Sequence, residues 1–216
     1  MLVEVWSDVV CPWCFIGRRR LQAALKSFAH ADDVTIVHRA FQLQPDATGI
    51  VPTGQHLAEK YGVSADEVRQ MQQNVCTIAD GEGLCYDLDA TLSGNTRDAQ
   101  RLLLWAQAQG SAERLLENLY SGYFEQGRAV FTHADLLAFV DEAGLDRAAA
   151  QQVLESDAFA TEVADDARTA ASFGATGVPF FVFDRRYGIS GAQPLEAFTQ
   201  TLEAAWAAGV GANQPV

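Results

Sequence analysis

The chain has 216 residues, of which 49% are apolar and 20% charged, and its formal net charge is −13. This length and apolar content suit one large domain, or one domain that carries an insertion, and they disfavour a disordered chain. The acidic excess disfavours nucleic acids and anionic membranes as partners, because both are bound through basic surfaces.

No apolar run approaches the length of a membrane span, and the first predicted strand leaves no room for a signal peptide. We therefore expect a cytoplasmic protein. Standing disulfides are rare in that compartment, and those that do form there are usually catalytic.

The N-terminal third predicts a strand, a helix and a second strand. Residues 2–6 alternate apolar and polar side chains, whereas residues 15–28 have helical spacing, with Cys14, Leu21, Leu25 and Phe28 on one face. Residues 34–41 are rich in β-branched side chains and predict the second strand. Strand–helix–strand over about forty residues is typical of a βαβ unit with two parallel strands.

The sequence Cys11-Pro12-Trp13-Cys14 lies where the first strand leads into the first helix. Pro12 suits the first helical position, since its missing N–H is not needed there. The free N–H groups and the positive end of the helix dipole stabilise a thiolate at Cys11. We therefore predict Cys11 as the nucleophile of thiol–disulfide exchange and Cys14, one turn further along, as the less exposed resolving thiol. Half of a zinc site and a static disulfide are the alternatives for these two cysteines.

From residue 54 to residue 173 the pattern is helical, and strand signals return only near residue 179. Ser64 and Glu67 form a capping-box pattern, and Gly144 and Gly174 end helices. Helices are predicted at 55–61, 64–79, between 95 and 110, and at 111–124, 132–143, 146–156 and 157–173. Strands at 179–184 and 187–190 form a hairpin, a last helix starts near Pro194, and residues 209–216 are predicted to fray.

A second motif, Gly174-Ala175-Thr176-Gly177-Val178-Pro179, directly precedes the third long strand. On residues alone, a proline there suits the start of a strand, and a trans bond is the default. Together with the cysteine motif, however, this arrangement resembles the thioredoxin fold, and the long helical block resembles its DsbA-like branch, most closely the cytoplasmic FrnE-type oxidoreductases. The other matching pieces are Ile16-Gly17, Phe41, Leu43 and Pro45, Asn95-Thr96 with Ala99 and Arg101, and 190–194.

The resemblance implies an α/β thioredoxin fold, βαβ then ββα, with a thioredoxin-like domain at 1–53 and 174–216 and a helical insertion at 54–173. It also implies a cis Pro179 that faces the cysteines, with the backbone of Val178 pairing with an extended substrate. We assign substrate contacts to Pro12, Trp13, Thr176 and Val178, although Trp13 could instead pack against the insertion.

The implied activity is dithiol–disulfide oxidoreduction or isomerisation on protein or small-molecule thiols and disulfides. No cofactor is expected beyond glutathione as a co-substrate. The related glutathione-dependent 2-hydroxychromene-2-carboxylate isomerases typically carry serine at the first cysteine, so Cys11 favours redox chemistry. Such an isomerase or transferase is one alternative, and a non-enzymatic metal-binding or interaction module is another. Gln100 stands where the resemblance leads us to expect histidine.

Several residues keep two interpretations. Asp8 either shapes the turn before Cys11 or relays protons to Cys14. Cys76 and Cys85 are either an auxiliary disulfide pair or two inert buried thiols, and their spacing does not match a zinc knuckle. Arg18–Arg20 either add a diffuse positive field near Cys11 or lie on a solvated helix face. His30, His38, His56 and His133 lack metal-type spacing and are predicted to be structural.

Overall fold

The protein is described by a computed structural model that covers residues 1–212. Its four-stranded sheet contains β1 (Leu2–Ser7), β2 (Thr35–Ala40), β5 (Phe180–Phe183) and β6 (Tyr187–Ser190). Two further strands, β3 (Val51–Pro52) and β4 (Leu92–Ser93), pair with each other. The helices are α1 (Pro12–Ser27), α2 (Thr53–Tyr61), α3 (Ala65–Gly81), α4 (Arg97–Ala108), α5 (Ala112–Gln126), α6 (His133–Glu142), α7 (Arg147–Leu154), α8 (Ala160–Ser172) and α9 (Leu195–Ala212).

The main sheet has the strand order β2-β1-β5-β6. β1 and β2 are parallel, with Val5 opposite His38, whereas β5 runs antiparallel to β1 and forms a hairpin with β6. The predicted βαβ unit and C-terminal hairpin therefore meet in one sheet. This arrangement confirms the α/β fold class with a helical insertion.

Alternation along the strands divides the side chains of the sheet between two covered faces. Val3 and Val5 pack with Phe181 against α1 and α9, in a cluster that includes Phe198 and Leu202. Trp6 points to the opposite face, where it packs with Ala170 of α8 and its indole N–H donates to the carbonyl oxygen of Asp166, 2.8 Å away. Both faces of β1 are thus buried, which fixes the strand that leads into the cysteine motif.

The predicted helix ends follow local chemistry. Ser64 and Glu67 form both hydrogen bonds of the capping box at the start of α3. Gly144 and Gly174 adopt positive φ angles of 68° and 80° immediately after α6 and α8 end. Glycine reaches this left-handed region without the steric penalty of a side chain, so these two stops were predictable from sequence.

Several predicted boundaries differ from the structure. Residues 50–54, predicted as a loop, include β3, and the lead-in to α4 includes β4. A two-residue strand is too short for alternation to appear, and its pairing joins segments about forty residues apart. Helix α8 begins at Ala160 rather than 157. Helix α9 continues through Ala212, so of the predicted frayed tail only residues 213–216 lie outside the described residues.

The largest apolar cluster joins the cysteine motif to the helical block. Phe15 and Ile16 of α1 are fully buried in it, together with Leu115 of α5 and Phe139 of α6. The first helix is therefore held between the sheet and the helices of residues 54–173. No helix within residues 1–212 has the combined length and hydropathy needed to cross a bilayer.

Candidate active site

The cysteine motif lies at the N-terminal end of α1. Cys11 is the N-cap residue with extended backbone, and Pro12 occupies the first helical turn as predicted. The backbone N–H of Cys11 donates to the carbonyl oxygen of Asp8 (3.1 Å), and the N–H of Cys14 donates to that of Cys11 (3.0 Å). This turn between β1 and α1 therefore places both cysteines at the positive end of the helix dipole.

Both cysteines are free thiols and both are buried, with Cys11 4% and Cys14 2% exposed. The predicted order of exposure is right, but the difference is small. Burial raises the pKa of the Cys14 thiol well above 9, and the adjacent Cys11 raises it further, against a hydrogen bond from the backbone of Asp8. Cys14 is therefore a protonated thiol at neutral pH, and it must lose that proton before it can attack a disulfide.

The loop before β5 faces the motif. The Val178–Pro179 peptide bond is cis, and the Cys11 thiol donates to the carbonyl oxygen of Val178 at a sulfur–oxygen distance of 3.5 Å. Pro179 is buried, Val178 is half-buried, and Thr176 is exposed further along the loop. The fold thus brings residues 11 and 178 into contact across 167 positions of sequence.

A cleft of about 280 Å³ opens beside Cys11. The motif lines one wall with Val10, Cys11, Pro12 and Trp13, next to Val178. The opposite wall comes from the helical block, through α2 and α3, and includes His56, Leu57, Lys60, Tyr61, Met71 and Val75. Three of the four predicted substrate-contact residues therefore line one cavity, and Thr176 lies outside its lining.

Sequence reasoning missed the aromatic side chains that support the motif from the helical block. The Tyr86 hydroxyl donates to the carbonyl oxygen of Pro12 (2.8 Å), and Phe15 stacks on Tyr120 with ring centroids 4.9 Å apart. Tyr86 and Phe124 stack on each other behind this pair. These contacts span 38 to 105 positions of sequence, so no local pattern predicts them.

Asp8 is fully buried beneath the motif. Its carboxylate accepts hydrogen bonds from the backbone N–H groups of Leu43 (2.7 Å) and Val10 (3.5 Å). Burial raises the pKa of Asp8 to about 6, although these hydrogen bonds oppose the rise. The turn-shaping interpretation matches these contacts, because one carboxylate ties the motif to the segment after β2.

Gln100 supports the same region from α4. Its amide nitrogen donates to the carbonyl oxygens of Ser7 (3.1 Å) and Phe41 (2.9 Å). Ser7 is the last residue of β1, and Phe41 directly follows β2. Gln100, which stands in place of the expected histidine, therefore links the ends of the two parallel strands close to Asp8.

The two remaining cysteines are also free thiols. Cys76 is half-buried, its thiol donates to the carbonyl oxygen of Tyr86 (3.8 Å), and burial raises its pKa. Cys85 is exposed. The interpretation of two buried thiols is therefore wrong for Cys85, because the turn after α3 carries it to the surface.

Arg18, Arg19 and Arg20 do not form a solvated face. Arg18 and Arg19 pair with Glu117 of α5, and Arg20 pairs with Glu82 at the end of α3. The expectation failed because the helical block covers this side of α1. These three arginines therefore form ion pairs that link α1 to the helical insertion.

Within residues 1–212, no three His, Cys, Asp or Glu side chains lie together as candidate metal ligands.

The fold and this site define a class of thioredoxin-like proteins with a helical insertion. A family model for the DSBA-like thioredoxin domain matches residues 2–203, and the chain belongs to that family. A "probable DsbA oxidoreductase" from Streptomyces coelicolor is 43% identical with a TM-score of 0.93, covering 100% of this chain and 92% of that one. No curated protein matches the chain.

Two more distant structures share the fold. A 2-hydroxychromene-2-carboxylate isomerase is 17% identical with a TM-score of 0.70, over 99% of this chain and 100% of that one. The cytosolic disulfide reductase DsbM from Pseudomonas aeruginosa, solved with glutathione, is 18% identical with a TM-score of 0.64, over 94% and 98%. At these identities the likeness concerns the fold alone.

Proposed function

We propose that the protein is a dithiol–disulfide oxidoreductase or isomerase of the FrnE type, with Cys11 as nucleophile and Cys14 as resolving thiol. The Cys11 thiolate attacks a substrate disulfide and releases one substrate thiol, which leaves a mixed disulfide on Cys11. The Cys14 thiolate then attacks the Cys11 sulfur, the second substrate thiol leaves, and the Cys11–Cys14 disulfide remains. Each step can run in reverse to oxidise a substrate dithiol.

The observation that carries this proposal is the 3.5 Å contact between the Cys11 sulfur and the Val178 carbonyl oxygen. An extended substrate that pairs with the backbone of Val178 would present its sulfur beside Cys11. Pro179 is the proposed positioning residue, because its ring packs close to α1 and sets the distance between the loop and the motif.

The cleft supports substrates of low side-chain specificity. Tyr61 and Met71 on its far wall are 53% and 39% exposed, and Leu43 at its edge is 37% exposed. Flexible methionine and aromatic side chains are typical of surfaces that accept many partners. We propose protein and small-molecule disulfides as substrates, with Pro12, Trp13, Val178 and Thr176 in contact with them.

Glutathione is the proposed small-thiol co-substrate, and Lys60 in the cleft wall offers a cation to a carboxylate of the tripeptide. The cytoplasmic location predicted from the sequence is part of the same proposal, and the relative DsbM is described as cytosolic.

Trapping of glutathione tests the proposal directly. In a chain whose Cys76 and Cys85 are replaced by serine, every disulfide can be assigned to the motif. We expect oxidised glutathione to form a lasting mixed disulfide on the Cys14→Ser protein, none on the Cys11→Ser protein, and the Cys11–Cys14 disulfide when both are present. Intact-mass measurement distinguishes the three products.

Full exchange activity in the Cys11→Ser protein would contradict the proposal. Tight glutathione binding with turnover that survives Cys14→Ser would instead support the isomerase or transferase alternative.

A further inference from the structure

A second, much smaller cavity adjoins Cys14, and it shares no lining residue with the cleft. Its volume is about 20 Å³, and its polar lining consists of Ser7, Cys14, Arg18, His38 and Tyr120. The remaining lining is apolar, from both the sheet and α1. A space of this size with several polar neighbours is large enough for one water molecule.

The strand register explains why a histidine reaches this position. His38 of β2 lies opposite Val5 of β1, and Ser7 is two residues further along β1. Side chains opposite each other in a parallel pair, and at alternate positions along a strand, project on the same side of the sheet. His38 and Ser7 therefore project toward α1, which carries Cys14.

His38 is buried, with 6% of its surface exposed. Its Nε2 is hydrogen-bonded to a carboxylate oxygen of Glu113, and a carboxylate only accepts. Nε2 therefore carries a proton, and in the neutral ring the lone pair of Nδ1 is free. Nδ1 is buried and has no hydrogen-bond partner among the described residues.

The surroundings hold this imidazole in place. The side-chain amide of Gln107 in α4 accepts from the backbone N–H of His38 (2.7 Å) and donates to its carbonyl oxygen (3.1 Å). Glu113 also pairs with Arg18, and its side chain is half-exposed. Glu113 thus links the buried ring to solvent.

We infer that His38 exchanges the proton of Cys14 through one water molecule in this cavity, with Glu113 connecting the imidazole to bulk solvent. The inference rests on the proposed function, because only a resolving thiol needs to lose and regain a proton. It gives His38 a positioning and proton-transfer role in place of the structural role predicted from sequence.

The step balances without another reactant. The Cys14 S–H gives its proton to the water, and the water gives one to Nδ1 of His38, so a thiolate and an imidazolium form together. The thiolate attacks the Cys11 sulfur of the mixed disulfide, the substrate thiolate leaves, and the Cys11–Cys14 bond forms. The imidazolium then loses one proton to solvent beside Glu113, and the neutral ring returns to the tautomer that carries its proton on Nε2.

The other polar groups that face the ring do not serve as the acceptor. Arg18 stays protonated in proteins. Burial raises the pKa of Tyr120 well above its ordinary value, so its phenol stays neutral. Burial also favours the neutral form of Glu113, but hydrogen bonds from His38 and the charge of Arg18 hold its pKa at about 2. Glu113 is therefore an anion that stabilises the imidazolium. The carboxylate of Asp8 is bound to backbone amides and does not line this cavity.

The two thiol steps can be timed separately with 5,5′-dithiobis(2-nitrobenzoate), in a chain with Cys76 and Cys85 replaced by serine. Attack by Cys11 releases the first coloured thiolate, and resolution by Cys14 releases the second. We expect His38→Gln to slow the second release about 100-fold near neutral pH and to leave the first within about twofold. The slowed step should also become steeper with pH, because hydroxide or buffer must then remove the proton.

His133→Gln is the matched control, since His133 also pairs with a carboxylate, that of Asp98, but lies on the surface. Glu113→Gln keeps the imidazole of His38 but removes the carboxylate bound to it, so it should also slow the second release. This variant provides the test if His38→Gln fails to fold. An unchanged second release and pH profile in either folded variant would overturn the inference. A wild-type protein that shows no second release would instead contradict the proposed function itself.

Discussion

Asp8 shows how burial changes the chemistry of one residue in this site. Its carboxylate is wholly enclosed and its pKa is raised to about 6, so the folded protein binds a proton that the unfolded chain releases near 3.8. A raised carboxyl pKa means that stability is highest below the unfolded value and falls as the pH rises through the folded one. At about 1.4 kcal/mol per pKa unit, the full loss is about 3 kcal/mol.

Replacing Asp8 by asparagine removes this pH dependence. Between about pH 5 and about pH 7, the unfolding free energy of the wild type should fall by about 1 kcal/mol relative to Asp8→Asn, because the folded carboxyl ionises in that interval. Urea unfolding at several pH values measures the difference. Asp46→Asn is the control, at an exposed position on the segment after β2. Its unfolding free energy should change with pH in the same way as that of the wild type. Parallel curves for Asp8→Asn would contradict the buried-acid account.

At the scale of elements, the approach of α1 to the loop before β5 determines the site geometry. A Cβ at Gly17 would lie 3.1 Å from Pro179 Cγ and 3.1 Å from Phe181 Cζ, both in buried rings. Glycine is therefore required there for close packing rather than for an unusual backbone angle.

We expect Gly17→Ala to lower the unfolding free energy by about 1–2 kcal/mol, because overpacking outweighs the better helix propensity of alanine. It should also slow attack by Cys11, since α1 must shift away from Val178 and Pro179. Gly54→Ala, in α2, has no atom within 4 Å of the new methyl group and should be neutral or stabilising by up to about 1 kcal/mol. Chemical unfolding measures the change in stability, and the rate of the first nitrobenzoate thiolate release measures attack by Cys11. Equal unfolding free energies for Gly17→Ala and Gly54→Ala would contradict this packing argument.

Across the whole molecule, α1 joins an apolar cluster of the sheet to the apolar cluster of the helical block. Each region contains one buried tryptophan: Trp6 in β1 is fully buried, and Trp105 in α4 is 6% exposed. Helix α1 packs on the sheet through Leu21 and on the helical block through Phe15, and Arg18–Arg20 add ion pairs to the block. Segments that share this much core unfold together rather than as separate units.

Two single-tryptophan proteins test this cooperativity. One retains Trp6 and the other Trp105, with phenylalanine at the remaining three tryptophan positions. In each protein, the fluorescence transition in urea should coincide with the helical circular dichroism transition, because one event removes all tertiary contacts. A Trp6 transition displaced from the dichroism of the same protein would show that residues 54–173 unfold independently.

The sequence by itself determined the features that depend on neighbouring residues. It placed Cys11 before α1 with Pro12 at the first helical position, predicted the capping box at Ser64, and marked helix ends at Gly144 and Gly174. These follow from backbone hydrogen bonding and glycine conformation within a few positions. The thioredoxin fold and the cis bond at Pro179 followed from the family resemblance that the cysteine motif and Val178-Pro179 carry.

The tertiary structure alone decided which distant groups meet. The 74 positions between Pro12 and Tyr86, and the 99 between Arg18 and Glu117, leave no periodic trace in the chain. The wall of the cleft, the pairing of Arg18–Arg20 and the burial of His38 beside Glu113 all depend on how the helical block covers α1. Burial then sets the protonation of Asp8 and Cys14, since the cost of a buried charge depends on everything packed around it.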